Sequence, residues 1–138
     1  MKQATAHAEL VARRGELMAE LFLQDLEPAS LARPPANFGY DFLVVFPRRS
    51  GGTNTFAVEV KATEHPDPSS FVIDKQTYNR LAHSNIPGLL LVADSKENRL
   101  FFAWPPRVDT RSQPGSVSIQ LTPVDDKTEK ELHKRLVA

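Results

Sequence analysis

Cysteine is absent from the 138-residue chain, which excludes disulfides and thiolate metal sites. That suits a reducing compartment. No apolar run approaches the roughly 20 residues that a membrane-spanning helix needs. Residues 1–7 also lack the apolar core of a secretory leader. The expectation is a soluble, cytoplasmic protein. Charge of one sign is missing as well, because 17 Lys and Arg balance 17 Asp and Glu. Phosphate neutralisation supplies most non-specific affinity for nucleic acid, so any such role must rest on a local patch or a partner. The apolar and charged fractions, 41% and 25%, are ordinary for a globular chain. Residues 1–138 are long enough to bury one domain's core, and no internal repeat or second domain is visible.

What the chain does contain is a succession of periodic segments. Residues 6–26 predict an amphipathic helix in which Leu10, Leu17 and Leu21, with Val11, Met18 and Phe22, recur at helical spacing. Gly15 interrupts it mildly, and Pro28 marks its end. A proline-rich connection, 31–37, shows neither helical nor strand period. Residues 40–47 and 55–63 read as strands joined by a glycine-bearing hairpin loop, 48–54. After a polar stretch, 64–70, Phe71 to Ile73 form a short edge strand, and Asp74 caps a helix over 76–83. Residues 88–93 are continuously apolar, as in a strand buried on both faces. The chain turns at 94–98 and returns as an antiparallel strand, 99–104. A looser segment precedes a strand at 117–121 and a charged terminal helix at 125–135. This order predicts an α+β fold around a mixed sheet, with a core at about 6–104 and an extension at 105–138.

Three residues carry the chemistry. Asp41 begins the first strand of the hairpin, and Glu59 and Lys61 share one face of the second. A hairpin turning about Ser50 or Gly51 sets Asp41 opposite Glu59 or Lys61. Two hard oxygen ligands beside the Val60 carbonyl suit Mg²⁺ or Mn²⁺, and a neighbouring lysine stabilises charge or orients water. That equipment fits in-line phosphodiester hydrolysis.

Gly39-Tyr40-Asp41 followed by Phe56-Ala57-Val58-Glu59-Val60-Lys61 resembles the D…ExK signature of PD-(D/E)XK nucleases, with Tyr where the pattern has Pro. The helix bearing glutamates, the two strands, the run from Ile86 to Asp94 and the strand ending at Trp104 are similar to uncharacterised bacterial domains of that superfamily. They are also similar to Holliday-junction resolvases and restriction-type endonucleases. The resemblance implies a restriction-endonuclease-like fold with core order α-β-β-β-α-β, and a Mg²⁺- or Mn²⁺-dependent endonuclease acting on DNA in restriction, repair or phage defence, as a homodimer or with a protein partner. It further implies a glutamate from the first helix acting through metal-bound water, Glu20 first and Glu16 second, and a substrate or water contact from Gln76.

Plainer readings stand beside these. A Glu-x-Lys pair is often a surface ion pair, yet charges set into an apolar hairpin are costly unless paired or functional. Glu20 fits a solvated helix face equally well, and Gln76 fits one better. Basic pairs in loops are usually solvated, and Arg48 and Arg49 are the candidate exceptions because they tip the hairpin beside the proposed site, where they could meet phosphate. His7, His65, His83 and His133 lack any metal-site spacing. Phe101, Phe102 and Trp104 read as core. The alternative function is a catalytically inactive nuclease-fold module for nucleic-acid or protein binding.

Overall fold

The computed structural model describes residues 2–35, 38–64, 70–107 and 115–138, so parts of the expected connections at 36–37, 65–69 and 108–114, with His65, lie outside the described residues. The chain opens with α1 (Lys2–Asp25), β1 (Ser30–Ala32), β2 (Phe42–Pro47) and the long β3 (Thr53–Thr63). There follow β4 (Phe71–Asp74), α2 (Lys75–Ala82), β5 (Gly88–Asp94) and β6 (Arg99–Ala103). The chain finishes with β7 (Ser116–Ile119), β8 (Thr122–Pro123) and α3 (Asp126–Leu136). A six-stranded mixed sheet has the order β1-β2-β3-β5-β6-β8, and β4 and β7 form a separate ribbon. The fold is α+β.

The apolar run at β5 becomes a central strand with every residue buried, parallel to β3 and antiparallel to β6. Its alternate residues feed two cores. Leu89 and Leu91 join Phe22, Leu23, Phe42, Val58 and Leu136 on the side of α1 and α3. Leu90 and Val92 join Tyr78, Leu81, Phe101 and Ile119 on the side of α2. Asp74 and Asp125 cap α2 and α3 by accepting from the Thr77 and Thr128 amides.

Three expectations need correction. The first concerns the buried face of α1, which is one residue, about 100°, from the leucine stripe. Gly15, Ala19, Phe22 and Leu23 face inward, whereas Leu10, Leu17 and Leu21 are exposed. Small residues make this possible: a Cβ on Gly15 would lie 2.7 Å from the Ala62 Cβ, so the helix sits directly on the sheet. The second is at Ser30–Ala32, overlapping the start of the proline-rich connection, which forms β1 on the edge of β2. Three residues are too few to show strand alternation in sequence. The third is the segment 71–73, which pairs with β7 in the ribbon instead of edging the main sheet.

Candidate functional site

The site arises from unequal strand lengths. β2 and β3 pair antiparallel from Phe42↔Val58 to Pro47↔Thr53, so the register sum is 100 and Asp41 falls opposite Glu59. β2 begins only at Phe42, whereas β3 runs on to Thr63. Beyond Val58, the edge of β3 that faced β2 is therefore released. Asp41 occupies that opening. Its amide donates to the Val58 carbonyl at 3.0 Å, and its Oδ2 accepts from the Val60 amide at 2.7 Å. Strand residues two apart aim their backbone groups at the same edge, so the Val60 carbonyl faces the opening too, past the last β2–β3 rung.

Glu59 is 7% exposed and lies on the α2 side of the sheet with Leu90 as its β5 partner. Two cations hold it. Lys61 Nζ is 3.7 Å from its Oε1, and an Arg80 terminal nitrogen from α2 is 3.3 Å from its Oε2. Both are longer than the roughly 2.7–2.9 Å of a well-formed charge-assisted bond. Asp41, Glu59 and Lys61 thus converge at one opening.

Electrostatics sets the pair apart from a settled ion-pair network. Burial pushes the Asp41 carboxyl above its ordinary range, and the charge of Glu16 adds to the rise against the Val60 amide, Lys61 and Arg80. Burial likewise raises Glu59, and the neighbouring Asp41 charge raises it further against Arg80 and Lys61. Each carboxylate therefore lies where negative charge is disfavoured.

The helix glutamates occupy different positions. Glu16 lines a cleft with Val11, Val60, Lys61, Glu64 and His7 between α1 and the far half of β3. Both Glu16 and Glu20 pair with Arg33, at 3.3 and 3.0 Å, and the Arg33 guanidinium stacks 4.9 Å over Phe42. Of the two, Glu16 is the one that shares a cleft with Val60 and Lys61 and whose charge acts on Asp41. Gln76 is exposed in the first turn of α2, and Arg80, one turn later, is the α2 residue that reaches Glu59. Sequence reasoning missed Arg80. The signal for it was its place four residues after Gln76, on the same side of a helix that follows the ExK strand.

Arg48 and Arg49 are displaced from the expected position. They lie at the hairpin end of β2, seven and eight residues from Asp41, which puts them on the order of 20 Å from the opening. There the Arg48 backbone amide donates to the Gly52 carbonyl and the Arg49 amide to the Val137 carbonyl. His7 pairs with Glu64 at 2.5 Å, and His133 packs edge-on against Phe46. Phe101 and Phe102 are buried; Trp104 is half-buried beneath the Arg135 guanidinium, 4.3 Å from its ring.

Among the described residues, no three His, Cys, Asp or Glu side chains gather as a metal cage. The donor set is two carboxylates and a backbone carbonyl. Magnesium usually keeps several waters and takes one or two carboxylates, and a cation would relieve the mutual repulsion of Asp41 and Glu59, so these residues fit a hard divalent ion. No protein-family model matches the chain, and no curated protein sequence matches it.

Proposed function

We propose that this protein is a metal-dependent nuclease of the PD-(D/E)XK type that hydrolyses phosphodiester bonds in DNA. The observation that carries the reading is the pairing of Asp41 with Glu59 at the released edge of β3. Both carboxyls are raised, and Lys61 lies 3.7 Å from Glu59. Asp41, Glu59 and the Val60 carbonyl would hold Mg²⁺ or Mn²⁺, which supplies Lewis acidity and an activated water. Lys61, about one-third exposed, is close enough to stabilise charge on a phosphoryl oxygen or to orient the attacking water. Glu16, in the cleft beside Val60 and Lys61, would hold water there, a role the resemblance assigned to Glu20 first. Among the described residues, no helix is long and apolar enough to cross a membrane, and cytoplasmic placement and a homodimer remain parts of this proposal.

A second reading has its own support. Glu59 already lies between two cations, and the chain's formal charge is zero. Both features fit a non-catalytic module that keeps the fold for binding nucleic acid or protein. The experiment is cleavage of plasmid and branched DNA with Mg²⁺ or Mn²⁺ beside a Lys61→Ala control. Metal-dependent cutting by wild type alone supports the nuclease. No cutting of linear, nicked, branched or single-stranded DNA, with or without candidate partners, favours the binding module.

A further inference from the structure

Arg80 contributes more to this opening than one ion pair requires. Among the described residues, its Nε is a buried side-chain nitrogen without a hydrogen-bond partner. A buried donor left without an acceptor is costly, and such groups call for an explanation. The backbone beside Asp41 is shaped around this side chain. Gly39 has φ +81°, and a Cβ there would lie 2.8 Å from Arg80 Cδ and 3.0 Å from Nε. Glycine at that position serves two needs: it tolerates the left-handed conformation and it admits the guanidinium. The fork is also not committed to Glu59, since its contact is 3.3 Å and the side chain retains 32% exposure.

We propose that Arg80 is a phosphate-holding residue of this site. It screens Glu59 while the carboxylates carry no cation, and it turns its guanidinium to a phosphodiester oxygen once Glu59 is engaged by a divalent ion. The inference rests on the nuclease reading above. Its chemistry is that of a planar fork of donors, which matches phosphate oxygens two at a time. The buried Nε and the partly exposed terminal nitrogens form such a fork, with Glu59 as a replaceable partner. Arg80 and a divalent ion then compete for the same carboxylate. Removing Arg80 strengthens ion binding while weakening the hold on DNA, and a residue that merely braces the fold does not produce these opposite changes.

The test uses the full chain in two titrations. In calorimetry without DNA, Arg80→Met is expected to bind Mn²⁺ about fivefold tighter than wild type, the scale of a partly exposed ion pair. In the second, with Ca²⁺ and a short labelled duplex, the same variant is expected to bind several-fold more weakly. Arg80→Lys keeps the charge without the fork and guards against misfolding of Arg80→Met. It should leave Mn²⁺ affinity near wild type and still lose duplex affinity. Equal or weaker Mn²⁺ binding by Arg80→Met, or duplex binding at wild-type strength by either variant, overturns the proposal. If wild type binds Mn²⁺ and cuts DNA while both variants match it, Arg80's role alone has failed. If neither wild type nor Arg80→Met binds Mn²⁺, the metal reading has failed with it.

Discussion

Two buried carboxylates on the neighbouring strands β3 and β5 show how this protein treats acidic side chains in opposite ways. Asp94, 0% exposed at the end of β5, is saturated with donors. Its Oδ1 accepts from the Lys96 and Glu97 amides at 3.1 Å, and its Oδ2 accepts from Arg99 at 3.1 and 3.3 Å. Burial pushes its carboxyl up, but the Glu97 amide, Arg99 and the Lys96 amide together hold it below the ordinary range. Glu59, on β3, has two loose cations and a second carboxylate for a neighbour, and its carboxyl is raised. Asp94 is built to fasten a turn. Glu59 lies where its charge is disfavoured, which makes it the candidate functional group of the two.

The largest effect that tests this contrast is on rate. Lys61→Ala is expected to lower metal-dependent cleavage by about 10²–10³-fold while circular dichroism and most DNA binding stay unchanged, because its contribution lies in the transition state. A variant cutting as fast as wild type would assign the activity to another site. Asp94→Ala should show the converse. Losing charged bonds to two amides and Arg99 is expected to cost about 2–3 kcal/mol, read by denaturant unfolding. Any remaining folded fraction should still cut.

A smaller effect has the opposite sign. Asp41→Asn keeps an oxygen for the Val60 amide but removes a disfavoured charge. The ion-free protein is expected to melt a few degrees higher at pH 8, and the stabilisation given by Mn²⁺ should vanish. The pH dependence follows from the same directions. A raised carboxyl binds its proton more tightly in the folded state, so the stability contributions of Asp41 and Glu59 are present below about pH 4 and are lost as pH rises through their elevated range. The gain from Asp41→Asn should therefore shrink toward zero as the melt is repeated at falling pH. Asp94 behaves oppositely: its contribution is present above about pH 4 and is lost as pH falls through its depressed value. Melting curves of Asp94→Ala against wild type should converge at low pH.

Much of this was legible in the residues. The glycine-bearing loop and matching parity set Asp41 on one face with Glu59 and Lys61, because hairpin register is a local property, and the observed register selects Glu59 as its partner. The unbroken apolar run marked β5 for the same kind of reason. The face of α1 was not legible, since the large leucines outweighed the small Gly15 and Ala19 that allow close approach. The helix side of Arg80 could be read from Gln76, but its partner, 21 residues away in sequence, and the room made by Gly39 could not. Such a fit between a helix and a turn exists only in three dimensions. Arg48 and Arg49 were misplaced because a strand separates its two ends, and they share the end away from Asp41.

The central claim is that Asp41 and Glu59, and not the saturated Asp94, receive a divalent ion. Substoichiometric Mn²⁺ added to isotopically labelled protein reports this directly through paramagnetic broadening of backbone amides. The Asp41, Val60 and Lys61 amides are expected to broaden first, with the Asp94–Arg99 turn following later, and Asp41→Ala should remove the effect. Broadening centred on the Asp94 turn, or a pattern unchanged in Asp41→Ala, would contradict the account.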